Sequence, residues 1–280
     1  MRGILLGSVT LMLVATAVSA QGRPGTMAVG REVRIDIRSA VGPVTVTAWD
    51  RNEVTVTTPA NAPDEYRFSG DGQRVSIRVA HGAPLHVRVP QDAMLNVRAG
   101  SGPITIRGLT RTIEAESGSG PVRIEANAQS ITATGFSGGV MIIGGGSEIT
   151  RAESASGSVV ITDATGVVDA SSSSGSVRAS GRVTDARLFS VSGSVSFDGT
   201  VESGGRLSAE SSSGSVLLQL PATGSAEYEL STVNGSITNS FGPRADRSSG
   251  TGVRLRFVVG GGGARIKGST VSGSVRLRDR

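Results

Sequence analysis

Ser119-Gly-Pro-Val-Arg-Ile-Glu-Ala-Asn-Ala-Gln-Ser-Ile-Thr-Ala-Thr134 is the stretch on which the fold turns. Val122 and Ile124 flank Arg123, so the apolar side chains point one way and the guanidinium the other, as in a half-buried strand. A turn runs from Glu125 to Ser130, and Ile131-Thr-Ala-Thr134 alternates again as a second short strand. Two strands and two turns fit about eighteen residues, and the pattern returns from residue 99 to the end of the chain. Its central glycines, Gly102, Gly120, Gly139, Gly157, Gly175 and Gly193, are 18, 19, 18, 18 and 18 residues apart. Gly214 and Gly235 follow at steps of 21, and Gly273 comes after a gap of 38. A fixed period of this kind means stacked units that bury their apolar faces only against their neighbours. Identical turns at a constant step fit coils that all wind the same way. The expected fold is therefore all-β, a parallel β-solenoid with rungs of about 18 residues; an antiparallel hairpin array is the alternative.

Stacking the rungs produces columns. After each glycine the apolar position holds Ile104, Val122, Val140, Val159, Val177, Val195, Val216, Ile237 and Val275, and the second strand adds Ile113, Ile131, Ile149, Val168, Leu207 and Ile266. At a strand spacing of about 4.8 Å these make a narrow continuous core. Three residues before the glycine stand Ser117, Ser154, Ser172, Ser190, Ser211, Thr232 and Thr270. Such hydroxyls satisfy turn backbone and bond to their copies one rung away; a flat hydroxyl array for sugar or ice is the other reading. The glycine itself supplies the positive φ expected of a sharp corner. The final rung, Val275 to Arg280, places charge on its outward positions, as expected of an edge protected against aggregation.

The ends of the chain differ from its middle. Arg2, the apolar run Ile4 to Val18 and the small residues Val18-Ser-Ala20 form a secretory signal pattern over residues 1–20. No later apolar run suits a membrane span, which takes about 20 residues. Cysteine is absent from the chain, which excludes disulfides, thiolate metal sites, cysteine nucleophiles and a lipid-modified cysteine. Residues 21–241 carry 18 basic and 21 acidic side chains, whereas residues 242–280 carry nine basic and two acidic. The pI near 10.8 is thus a property of the C-terminal end.

Residues 21–98 alternate without the strict period: Val33-Arg-Ile-Asp-Ile37, Val44-Thr-Val46, Val75-Ser-Ile-Arg-Val79, Leu85-His-Val-Arg-Val89. They read as irregular early rungs or a β cap, forming one elongated domain with the repeat region 99–280. Gly42-Pro-Val-Thr-Val matches Gly102-Pro-Ile-Thr-Ile 60 residues on, which suggests about three coils between them. Three segments together, Gly42 to Val54, Val87-Arg-Val-Pro90 leading through Leu95-Asn-Val97 to Gly102, and Val-Ser-Gly-Ser-Val at 191–195 and 271–275, carry a family likeness. On these motifs the chain resembles the DUF4097 family of bacterial β-strand repeat proteins, known as adhesins. That resemblance covers nearly all of the chain after residue 20. It implies an exported, envelope-associated β-solenoid, in the periplasm, at the outer-membrane surface or outside the cell, and brings no catalytic residues with it.

Chemistry is sparse. A solenoid enzyme gathers acids and bases from adjacent rungs into one cleft, but the outward column Thr105, Arg123, Val160, Arg178, Ser196, Leu217, Thr238 and Arg276 holds no carboxylate. His81 and His86 lack further ligands nearby, so no metal or cofactor is expected. The runs Gly144 to Gly146 and Gly260 to Gly263 have neither the aspartates of calcium repeats nor the lysine of a phosphate loop, and read as turns. Trp49 is expected to pack on the next coil's turn, with sugar stacking as the alternative. The candidate site is the basic end: Arg254, Arg256, Arg265, Lys267, Arg276 and Arg278 alternate with apolar residues and are expected to share an outward face. Such a patch suits anionic polysaccharide, lipid headgroups or another envelope protein. Nucleic acid is disfavoured because no aromatics interleave with the arginines. The expected function is a non-enzymatic adhesin or interaction module of the envelope; a periplasmic sensor or scaffold in envelope-stress signalling and a polysaccharide-active enzyme are the alternatives.

Overall fold

The computed structural model describes residues 25–58, 66–80, 82–144, 146–245 and 252–280. The proposed signal segment and His81 lie outside them. Val122 pairs in parallel with Ile104 on one side and Val140 on the other, so one sequence period becomes one strand spacing. Ile113 and Ile131 repeat this relation on a second sheet. The parallel solenoid is thus the fold, and the hairpin array is not.

Each rung contributes to two opposed faces of one continuous sheet, as two strands in most rungs and as one long strand in Val159–Ser172, Val177–Ser190 and Val195–Ser211. These faces, called the first and second sheets, enclose a single core. Val44, Ile104, Val122, Val140, Val159, Val177, Val195, Val216 and Val275 are each at most 1% exposed, and Ile113, Ile131, Val168 and Leu207 face them. Burying each such side chain contributes about 1.5–3 kcal/mol. Two column members differ from expectation: Ile237, on the outermost rung, is only partly buried, and Ile149 is not in the core. The extra residue of the Ile149 rung falls between Ile143, which still pairs with Glu125 18 residues earlier, and Ile149, which pairs with Ser130 19 residues earlier. The second strand of the rung is thus shifted by one residue and turns its other face inward. Thr150, not Ile149, therefore pairs with Ile131 and is buried.

The hydroxyl and glycine columns also work differently from expectation. Ser190 Oγ accepts from the Gly193 N–H and donates to the Gly175 carbonyl of the neighbouring rung, both at 2.9 Å. Ser154, Ser172 and Ser211 repeat this double bond. The rungs are thus linked through glycine carbonyls rather than through neighbouring hydroxyls, and these serines are buried, so they form no external array. Among the column glycines only Gly102 has a positive φ, 109°, along with Gly42 of the matching early rung at 104°. The others are glycine because of contact, with Gly138 rather than Gly139 as the stacked member of the doublet Gly138-Gly139: a Cβ on Gly175 would sit 2.2 Å from the Gly157 carbonyl oxygen, and one on Gly138 2.1 Å from that of Gly120.

The order of rungs departs from the order of the sequence at both ends. Val44–Trp49 lies between Leu85–Pro90 and Ile104–Arg107, so the Gly42 and Gly102 rungs are adjacent rather than three coils apart. On the second sheet Arg34–Val41 likewise lies between Arg74–Val79 and Met94–Ser101. At the other end Val275–Asp279 is inserted between Val216–Leu220 and Ile237–Asn239. Its outward charges therefore do not protect a terminal edge, as the sequence had suggested. Antiparallel strands cover the ends instead: Glu53–Thr57 and Tyr66–Gly70 at one, Val253–Val259 at the other. Beneath the last of these Tyr228 stacks on Phe257 at 4.8 Å between ring centres and meets Phe241 edge-on.

Candidate interaction surfaces

The six basic residues of the C-terminal end are divided between the two sheets. Arg265 and Lys267 lie on Ala264–Ser272, and Arg254 and Arg256 on Val253–Val259, both in the second sheet. Arg276 and Arg278 lie on Val275–Asp279 in the first. The core separates the groups: an added Cβ at Gly268 of the second sheet would meet Leu218 at 3.2 Å and Val275 at 3.3 Å. Alternation gave the outward direction of each residue correctly, but the turn at Ser272 to Ser274 sends the two pairs to opposite sides.

Electrostatics divides them further. The strand Ala226–Asn234 runs between the other two basic strands and brings Glu227 and Glu229 into the second-sheet group. Glu229 bonds Arg256 at 2.6 Å and Glu210 bonds Lys267 at 2.7 Å. The Arg256 guanidinium holds the Glu229 carboxyl below its ordinary range, and the Lys267 ammonium, then the Ser208 hydroxyl, does the same for Glu210. On the first sheet Arg276 has Leu217 and Thr238 as its cross-strand neighbours, and Arg278 has Gln219. Neither makes an ion pair among the described residues. Arg254 and Arg265 are likewise unpaired there.

Two aromatic positions stand apart from this end. Trp49 is half-buried, donates its indole N–H to the Glu53 carbonyl at 2.8 Å, and has the Arg51 and Arg88 guanidinium carbons 5.2 and 5.7 Å from its ring centre. Arg88 comes from the neighbouring rung and Arg51 from Trp49's own turn. At the hydroxyl corner a groove runs along the second sheet between Phe136 and Phe189, with Ser171, Ser173, Glu116 and Glu153 among its lining. Phe136 is 69% exposed.

Residues 32–278 match the model of the family described as Toastrack DUF4097. The chain belongs to the Toastrack family. It is also similar to a solved protein of Bacteroides fragilis NCTC 9343, provisionally named an adhesin, at 13% identity and a TM-score of 0.49, covering 92% of this chain and 96% of that one. A second solved protein, a provisionally named cell adhesion protein of Clostridium sporogenes ATCC 15579, is similar at 7% identity and a TM-score of 0.23, covering 93% and 100%. No curated protein matches the sequence.

In this Toastrack chain the phenylalanine groove was missed by sequence reasoning, although a signal for it exists. The pairings put Phe136 in a corner column with Gly118, Ala155, Ser173 and Val191, and Phe189 in an outer column with Glu116, Thr134, Glu153, Ser171 and Glu210. Each is the one aromatic member of its stretch. The same corner gathers most of the exposed large apolar side chains of the described Toastrack residues: Val41, Phe136, Phe189, Val191, Val233 and Val271.

Proposed function

We propose that this chain is an exported, non-enzymatic binding solenoid of the bacterial envelope whose C-terminal rungs hold anionic glycan or lipid headgroups. The observation that carries the reading is the pair Arg276 and Arg278 on the first sheet, which have neither an ion pair among the described residues nor a carboxylate as cross-strand neighbour. Arg254 and Arg265 on the second sheet also make no ion pair there but lie beside Glu229 and Glu227. Unpaired guanidinium groups on a rigid surface are available to phosphate and carboxylate oxygens. The secretory pattern of residues 1–20 supports export.

A non-enzymatic role fits the state of the acids. General acid catalysis near neutral pH needs a carboxyl with a raised pKa. Glu125, Glu210 and Glu229 are shifted the other way, each by a cation bonded to it: Arg123 and then Arg107, Lys267, and Arg256.

Flotation of the mature chain with phosphatidylglycerol vesicles, and pull-down with polygalacturonate, test the binding. Retention of the wild type should fall as salt rises, since exposed charges are screened over about 10 Å at 0.1 M. Arg276→Glu with Arg278→Glu should abolish it, and Arg254→Glu with Arg256→Glu should weaken it less, because Arg256 is already answered by Glu229. Absence of salt-sensitive binding to both materials, or binding unchanged in both double variants, overturns the proposal.

A further inference from the structure

The groove between Phe136 and Phe189 shares the second sheet with Arg265 and Lys267, two strand spacings from their strand at its Phe189 end, and has a different chemistry. The two rings stand three strand spacings apart along the axis, about 14 Å, with Ala155, Ser171 and Ser173 on the intervening rungs. Glu153 borders this floor and makes no ion pair among the described residues; Glu116, one rung beyond Phe136, is paired with Arg98 at 3.3 Å. The hydroxyls of Ser171 and Ser173 form no hydrogen bond among the described residues. The groove therefore offers two apolar faces, a free carboxylate acceptor and two free hydroxyls, with no unpaired cation in its lining.

That combination selects its occupant. A phosphorylated or uronic ligand would meet Glu153 with no cation to offset it, which disfavours an anionic glycan or an anionic lipid surface. A wholly apolar segment would leave the carboxylate and the hydroxyls unanswered. A neutral pyranose chain meets both demands, since its C–H face packs on an aromatic ring while its hydroxyls donate to a carboxylate and exchange hydrogen bonds with serine. We infer that the Phe136–Phe189 groove is a binding site for an uncharged linear oligosaccharide about three sugars long, with the rings as its end platforms and Glu153 as its hydroxyl acceptor.

This goes beyond the anionic role proposed for the C-terminal rungs and does not depend on it. Calorimetric titration of the mature chain with cellotriose and with triacetylchitotriose, and with trigalacturonate as the charged counterpart, tests it. At least one neutral trisaccharide should bind with a Kd of about 1 mM or tighter, and trigalacturonate should not compete for the site. Phe136→Ala should weaken neutral binding by up to about tenfold, the scale of one stacked aromatic contact. Its melting temperature should be unchanged, because the ring is mostly in solvent. Glu153→Gln, which keeps the shape and removes the charge, should weaken neutral binding and admit trigalacturonate. Arg276→Glu with Arg278→Glu should leave neutral binding intact, which separates this site from the basic one. Failure of both neutral trisaccharides to bind, equal binding by folded Phe136→Ala, or preference of the wild type for trigalacturonate overturns the inference. So does concentration-dependent dimerisation that Phe136→Ala removes without any effect of sugar, which would make the corner an interface between two copies.

Discussion

At the scale of the residue, this fold depends on atoms that are absent. The turn glycines stack so closely that the carbonyl of one occupies the place where a Cβ would stand on the next, 2.2 Å away for both Gly175 on Gly157 and Gly193 on Gly175. Serines such as Ser190 then tie these carbonyls to the adjacent turn from within the core. The close approach accounts for the constancy of glycine in this column better than handedness does, since Gly175 and Gly193 have ordinary φ values. Gly175→Ala is accordingly expected to force backbone apart and to cost about 1–3 kcal/mol, as other overpacking changes do. Gly261→Ala, where the nearest atom is Ser225 Oγ at 3.7 Å, should be nearly neutral. Chemical denaturation midpoints of the two variants measure the difference; equal midpoints would return the explanation to backbone conformation.

At the scale of the element, strands were legible because alternation is local and stands on a handful of residues. Val122-Arg-Ile124 shows its inward and outward positions without reference to any other part of the chain. Strand order was not legible, because all rungs use the same columns: Ile237, Val275 and Val216 are equivalent as apolar residues following a glycine, and nothing local distinguishes which stacks on which. The basic site suffered similarly. The direction of Arg265 and Arg276 could be read, but their separation onto two sheets depends on the turn between them, and Glu229 enters only because its strand lies between two basic ones. That interposed strand carries a pH prediction. Glu229 faces Arg256, Arg254 and Lys267, and Glu210 faces Lys267, Ser208 and Arg187. Both carboxyls are depressed in the folded chain, so their stabilising effect is complete above the unfolded value of about 4.3 and is lost as pH falls through the lower folded values. Thermal midpoints measured by circular dichroism should therefore fall below about pH 4.3, and Glu210→Gln with Glu229→Gln should flatten that part of the decline. A double variant with an unaltered acid profile would show that these pairs add nothing to stability.

At the scale of the whole molecule, the two ends follow one plan. Followed from the middle of the molecule outward, the path passes through an outer rung, an antiparallel cover and then the position left open. At the N-terminal end this runs against chain order, so Arg34–Val41 with Val44–Trp49 is laid down first and Arg74–Val79 with Leu85–Pro90 last. At the C-terminal end the outer rung is built from Ala226–Asn234 and Ile237–Asn239, the cover is Val253–Val259, and the filling rung is Ala264–Ser272 with Val275–Asp279. The 38-residue step before Gly273 is the length of that excursion. The filling rung is apolar on its inner side, with Ile266, Val275 and Leu277 buried, so leaving its place empty would expose core on the rungs to either side. Interleaving also gives each terminal sheet edge a cover or a very short strand, which limits edge-to-edge pairing. Because the chain has no cysteine of its own, paired cysteines can report the order directly. Thr238 and Arg276 are cross-strand neighbours with outward side chains, about 4.8 Å apart between Cα atoms, inside the window of about 4.4–6.8 Å for a disulfide. Leu217 and Thr238, which sequential stacking would make neighbours, are separated by the inserted strand, about 9.6 Å apart and beyond the reach of a disulfide. Mild oxidation should therefore cross-link Thr238→Cys with Arg276→Cys within one chain and leave Leu217→Cys with Thr238→Cys as free thiols, as read by thiol counting under denaturing conditions; the opposite result would mean that the rungs stack in the order of the sequence.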